Sequence, residues 1–465
     1  MNLLRCVPSL LFGGVFVATS LALPSSPTEQ ADFLAGLPLP GGSVLAPLQK
    51  TQEYQGHQKE LQAQWAFCRR LRYDLMEQWG HDHLSQDPSA RGIVRYLFGG
   101  PDFLNAHAFF PDARIMVLGG LEPVGEVPPP ETLTPQAFTV GLKALREALH
   151  TSLFCGYFIT SEMKPQLLEG SFRGVLPVLF TELALTGNKV ISVESMEPFG
   201  SPGVKILYEH YDPRGDTQPQ TLYYFQADLS NGKECKKFLG WLGEFGDGAS
   251  YLKAASYLLP LDEFSETREF LLNTSTLILQ DDSGIPFHDF PPDQWKIQLF
   301  GVYTEPLSIF KIHKEPELES AYAGVGTVHD EGPLPFGAGY HVNAHDANLL
   351  LAIRSNLTSQ SVALPSSAAP LILPSPTPTA TPKPRKLRIR KALPVEIRKA
   401  LPVDTPTPSP STMPTSLETP LASPPHTPQL RSSPEPALSP AAASQPAVPE
   451  PALEPVESLP AASPQ

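Results

Sequence analysis

Twenty-six of the 54 prolines fall after residue 360, and this partition limits what the chain can fold. From 361 to 465 proline is interspersed with Ser, Thr and Ala and with few aromatics. Such a segment cannot bury enough apolar surface to offset its chain entropy, so it is expected to stay extended, partly as polyproline II. At the other end, Arg5, the apolar stretch from Val7 to Leu21 and the small-x-small Ser20-Leu21-Ala22 read as a secretory signal over 1–22. A body of about 338 residues, 23–360, remains to build a core, which is one large domain or two small ones.

Charge is divided just as unevenly. The whole chain carries −14, the body alone −17, and a stripe at 383–399 carries +7 within an otherwise acidic tail. Nucleic-acid binding is not expected from so acidic a body. The stripe is a candidate docking element for an anionic envelope polymer or a protein partner, against the plainer reading of a solubilising linker. Its one ordered motif is a tandem octapeptide, Arg390–Ile397 followed by Arg398–Thr405, too short for a solenoid. No run after residue 22 approaches 18 apolar residues, so no transmembrane segment is expected after signal cleavage, and the protein is expected to be periplasmic or secreted. Cleavage would leave Cys68, Cys155 and Cys235. These are too few for a disulfide framework and read as buried thiols, with Cys235 alone set among lysines.

Apolar positions at helical spacing (Leu61, Trp65, Cys68, Leu71, Leu75) predict one long amphipathic helix over 46–79, within a linker-and-helix segment 23–90. From 91 to 360 short β-branched runs alternate with helical patterns. Strands are expected at 93–98, 114–118, 189–193, 204–208, 221–225, 276–280 and 296–303, and helices near 135–152, 163–186, 234–244, 249–259 and 265–273. This interleaving predicts an α/β domain with a mixed, largely buried sheet and flanking helices.

Several of these strands are closed by acids. Asp102 follows the first, Glu122 the second and the pair Asp281-Asp282 a later one, with Glu194 and Glu197 as further but weaker instances. The carboxyl ends of strands in open α/β sheets border the ligand crevice, where carboxylates serve as acid and base or hold a divalent cation, the one candidate cofactor. Each acid also has a structural reading: Asp102 as the cap of a short helix Phe103–Phe109, and Asp281-Asp282-Ser283-Gly284 as a turn. His81-Asp82-His83 and His341-x-x-x-His345-Asp346 have ligand-like spacings but read first as solvated histidines. Nucleophile-elbow, zinc-helix, phosphate-loop and paired-cysteine motifs are absent, and the Gly119–Gly125 run is too proline-bound for a dinucleotide loop.

The segments Tyr96–Ala106, Phe109-Phe110-Pro111, Gly120–Gly125, Gly174–Pro177, Thr221–Phe225, Asp228–Asn231, Ser256-Tyr257-Leu258 and Gln280–Pro286 together resemble an uncharacterised family of bacterial proteins, often exported. The resemblance covers roughly 95–312. It implies a bacterial envelope origin and brings no activity with it. Two functions follow as expectations: a periplasmic or cell-surface hydrolase or lyase using Asp102, Glu122, Asp281 and Asp282, with or without a divalent cation, or a non-catalytic envelope-binding protein with a tethering tail.

Overall fold

The computed structural model describes residues 24–157, 160–210, 218–324, 328–330 and 333–355; the expected signal and proline-rich tail lie outside them. The strands are β1 (Ile93–Tyr96), β2 (Ile115–Gly120), β3 (Asn188–Met196), β4 (Gly203–His210), β5 (Gln218–Gln226), β6 (Gly248–Leu252), β7 (Ser275–Gln280), β8 (Trp295–Gly301), β9 (Val328–Asp330) and β10 (Asn348–Arg354). The helices are α1 (Pro27–Leu34), α2 (Gln52–Cys68), α3 (Asp74–Leu84), α4 (Phe103–Phe109), α5 (Pro135–Cys155), α6 (Thr160–Leu168), α7 (Leu176–Leu185), α8 (Lys233–Gly243), α9 (Ser265–Thr274) and α10 (Pro316–Tyr322). They form the mixed α/β fold anticipated.

The strands make one sheet in the order β3-β4-β5-β2-β1-β6-β7-β10-β8-β9. Its centre, β5-β2-β1-β6-β7, is parallel, while β4 and β10 pair antiparallel to the two sides of that centre. Alternate residues of the parallel strands feed two cores. Val94, Tyr96, Met116, Leu118, Tyr251 and Leu279 pack with residues of α1 to α5 and α7 on one face. Ile93, Leu97, Val117, Leu252 and Ile278 pack with residues of α8, α9 and α10 on the other. Period-2 alternation in strands covered on both faces produces the near-continuous apolar runs seen in the sequence.

The chain lays β2 and β5 to one side of β1, then returns to lay β6 and β7 on the other. The order therefore reverses between β1 and β6, and the carboxyl ends of these two strands flank the switch point, where crevices of open α/β sheets form.

Three expectations are corrected. The single helix over 46–79 is instead α2, a π-turn at Arg69–Tyr73, and α3. It starts late because Thr51, with extended backbone, caps α2 by accepting from the Tyr54 N–H. The π-turn adds a residue and shifts the buried face: Leu61, Trp65 and Cys68 point inward, then Arg72, Tyr73 and Met76, while Leu71 is 49% exposed. These helices and α1 share the core of the sheet, so residues 24–90 are built into the body rather than placed before it. The second correction concerns 249–259, expected as a helix. Gly248–Leu252 is instead β6, fully buried between β1 and β7, where burial on both faces overrides the helical propensity of the alanine-rich stretch that follows. The helix expected over 163–186 is likewise split into α6 and α7. Among the described residues no helix is long and apolar enough to cross a membrane.

Candidate functional site

Asp102, Glu122, Asp281 and Asp282 follow β1, β2 and β7, so all four stand at the same, carboxyl edge of the parallel sheet, and all four are buried. Three of them join one polar cluster; Glu122 does not.

Asp102 caps α4 as the sequence suggested, its Oδ1 accepting from the Asn105 N–H at 3.2 Å and from Asn105 Nδ2 at 2.7 Å. Its Oδ2 accepts from Tyr96 Oη at 2.9 Å and from Lys253 Nζ at 2.6 Å. Lys253 is the first residue after β6, so this ion pair bridges the two strands of the switch point. Lys253 also donates to the carbonyl of Gly156, the left-handed residue that ends α5, and Asn105 Nδ2 reaches the same carbonyl at 3.0 Å. Burial pushes the Lys253 ammonium below its ordinary value, against the upward pull of Asp102. Beneath the pair, Glu182 accepts from the Leu104 N–H at 3.1 Å, and burial, followed by repulsion from Asp102, holds its carboxyl well above the usual range.

Beyond Lys253 the backbone is strained: Ala254, Ser256 and Tyr257 have φ of 49°, 56° and 52°. The turn after β7 clamps this loop. Asp281 Oδ2 accepts from the Ala254 N–H at 2.9 Å, Ser283 Oγ from the Ala255 N–H at 2.8 Å, and Asp282 Oδ2 from Tyr257 Oη at 2.6 Å. Asp281 Oδ1 accepts from the Ser283 N–H at 3.0 Å and from Ser283 Oγ at 2.5 Å. Thus the turn chemistry expected of Asp281-Asp282-Ser283-Gly284 is present, and it is spent on a neighbouring loop. Burial first, then the charge of Asp282, pushes the Asp281 carboxyl up to about 6. Nearby, burial pushes Glu315 up to about 7.

The segment before β10 covers these acids. Gly339, at φ 60°, lies so close that a Cβ would stand 1.8 Å from Asp281 Oδ2, which is why glycine occupies the position. Tyr340 Oη donates to the Ala254 carbonyl at 3.0 Å and lies 2.9 Å from Ser256 Oγ. His341 Nε2 faces Asp282 Oδ1 at 3.8 Å. Burial alone would lower the His341 pKa, but Asp282, Asp281 and Asp346 together hold it above the ordinary histidine value.

Glu122 sits apart, at the end of β2. Tyr224 Oη donates to its backbone carbonyl at 2.9 Å and lies 3.4 Å from Oε2, which rests against Gly100 and Gly120. It shares no hydrogen-bond partner with the other three acids. Nor does a cation find a ready cage: among the described residues no three His, Cys, Asp or Glu side chains are grouped to hold a metal. The oxygens of Asp102 and Asp281 are instead taken up by N–H and O–H donors. His81, His83 and His345 are exposed, leaving His341 as the histidine that reaches the acids. Cys68 and Cys235 are free, buried thiols; Cys235, despite its lysine neighbours, has its pKa raised by burial. Open grooves lie elsewhere, along α8, lined by Gly232, Lys233, Lys236 and Lys237 and by Phe199 and Trp241.

Sequence reasoning missed Lys253 and Glu182, and it read His341 as a solvated histidine where the structure buries it against Asp282. The signal for Lys253 was the one used for the acids, an ionisable residue closing an apolar run, but the run had been read as helix. The chain matches no protein-family model, no curated protein and no solved structure.

Proposed function

We propose that the protein is an exported enzyme of the hydrolase or lyase class, with its proton-transfer site at the carboxyl ends of β1, β6 and β7. The observation that carries this reading is the strained loop at Ala254, Ser256 and Tyr257, pinned by Asp281, Asp282 and Ser283 directly beside the switch point. Each non-glycine residue held at positive φ costs about 1–3 kcal/mol, a strain that persists where the surroundings over-determine it and that clusters at active sites. What the loop positions here is Lys253 against Asp102, next to a carboxyl group tuned to about 6, a value suited to passing protons near neutral pH.

In this reading Asp281 is the acid or base, and the Asp102–Lys253 pair supplies a fixed charge separation at the crevice. Asp102 and Asp282 remain within the site, while Glu122 serves the end of β2. Among the described residues no three ligating side chains are grouped to cage a divalent cation, and the proton chemistry is assigned to the side chains. Export rests on the signal pattern and on the family resemblance, and the basic stripe at 383–399 is the element that would hold the enzyme near an anionic envelope polymer.

The test is turnover of fluorogenic esters, glycosides and amides by the full chain and by Asp281→Asn. Loss of a positioned acid–base group lowers turnover about 10²–10⁴-fold; an unchanged rate in the variant would contradict the assignment. A second reading, a non-catalytic envelope-binding protein, is favoured by the open grooves along α8. It predicts no turnover of any class, together with binding that is lost when Lys233, Lys236 and Lys237 are replaced by alanine.

A further inference from the structure

The polar cluster contains a pair of buried atoms that satisfy each other poorly. Asp282 Oδ1 and His341 Nε2 are both sealed from solvent, and neither has a hydrogen-bond partner. Their separation of 3.8 Å is too long for a hydrogen bond. Asn348 Nδ2 is likewise buried without a partner, on the residue whose Oδ1 accepts from the Asp282 N–H at 3.0 Å. Buried polar atoms are nearly always paired, so three on adjoining residues call for an explanation.

Hydrogen-bond direction defines what would satisfy them. Tyr257 donates to Asp282 Oδ2, leaving Oδ1 as the free acceptor. Thr304 has one hydroxyl proton and donates it to the Asp346 carbonyl at 3.0 Å, so towards His341 Nδ1, at 3.1 Å, it can only accept. Nδ1 therefore carries the proton of the neutral ring, and Nε2 is a second bare acceptor. Two facing acceptors 3.8 Å apart complement a single water molecule, which can donate to both. An oxygen about 2.8 Å from each of two atoms 3.8 Å apart subtends an angle of roughly 85° there, within what a water tolerates.

We propose that Asp282 and His341 bind one water molecule between them and that His341 is its general base, which makes the reaction a hydrolysis. This rests on the acid–base reading above and moves the base from Asp281 to His341, leaving Asp281, with Asp282, to stabilise the imidazolium. The water oxygen forms the new bond to the electrophilic carbon of the substrate as one of its protons passes to Nε2. The bond to the leaving group breaks, and the departing heteroatom takes the proton back from the imidazolium. Asp282 orients the water through its second proton and stabilises the imidazolium, and Thr304 acts as a positioning residue through the tautomer. Thr304, half-buried, lies beside the pair through its contact with His341 Nδ1. The groups facing the ring are Asp282, Asp281 and Asp346, all acidic, so hydrolysis is expected to rise with pH as the imidazolium deprotonates.

The experiment uses the full chain, and its structural and NMR arms need no substrate. An atomic-resolution crystal structure grown above pH 8 should show one ordered oxygen within hydrogen-bond distance of both Asp282 Oδ1 and His341 Nε2. Nitrogen-15 NMR of the histidine side chains should show His341 as the Nδ1–H tautomer, and Thr304→Val should shift it toward Nε2–H. A direct Asp282–His341 hydrogen bond with no intervening oxygen, or an Nε2–H tautomer in the unmodified protein, would overturn the proposal. If the oxygen is absent while turnover still depends on Asp281, this inference fails and the acid–base reading stands. If the oxygen is present and Asp281→Asn leaves turnover intact, the water site stands and the role of Asp281 falls.

Discussion

Replacing Asp281 by Asn separates its two tasks, because charge and hydrogen bonding respond differently to pH. The carboxyl is raised from 3.8 to about 6, chiefly by burial and then by Asp282. A folded-state value above the unfolded one means that the native protein holds the proton more tightly. The stability from this group is therefore fully present below pH 3.8, is lost as pH rises through about 6, and stays lost above it. A rise of this size corresponds to about 3 kcal/mol. Asn carries no charge, so the variant lacks that loss. In return its amide can keep the two Ser283 bonds only by turning Nδ2 toward the Ala254 N–H, leaving one buried donor unpaired at a cost of about 1–3 kcal/mol. The variant should then be less stable than wild type by that amount at pH 4 and as stable or more so at pH 7. Urea unfolding of both proteins across this range checks it: the stability difference should swing by about 3 kcal/mol, with most of the change between pH 4 and 6. A difference that stays flat with pH would refute the claim that Asp281 is a strained, buried ionisable group.

Other substitutions probe the rest of the account. Leu71→Lys should change stability by no more than about 0.5 kcal/mol, because the π-turn sends Leu71 to solvent; an uninterrupted helix would bury it and predicts a core-sized loss. Lys253→Met leaves Asp102 buried without its cation and should cost about 3–5 kcal/mol by urea unfolding at pH 7, whereas a surface-type cost below about 1 kcal/mol would mean the pair is solvated. A chain ending at residue 360 should keep the melting temperature of the full protein, since the proline-rich composition leaves the tail little to bury; a large drop would mean that it packs on the body.

How far the sequence reaches is set by which cues are local. Asp102, Asp281 and Asp282 were legible because an acid after an apolar run is a local pattern, and a parallel sheet brings the ends of such runs to one edge. Glu122 has the same pattern but ends beside Tyr224, because strand order, which no local pattern encodes, puts β2 away from β6 and β7. Lys253 was hidden by its own strand: Gly248–Leu252 followed by two alanines mimics a helix until β1 and β7 close on both sides. His341 reaches Asp282 across 58 intervening positions, and although its spacing to His345 was noticed, nothing in its neighbourhood of Gly, Tyr and Val announces that contact. The face of α2 and α3 was readable up to Cys68 and then slipped, because a π-turn has no sequence signal comparable to a proline or a cap.

The most direct test of the central claim is the fate of solvent oxygen. With the ester, glycoside and amide panel incubated in ¹⁸O-labelled water, the account predicts that product from the wild-type chain carries one solvent oxygen. Formation of that labelled product should fall at least about 10²-fold in Asp281→Asn and follow a pH profile rising with deprotonation of His341. Product free of label, or labelled product formed equally well by the variant, would contradict it.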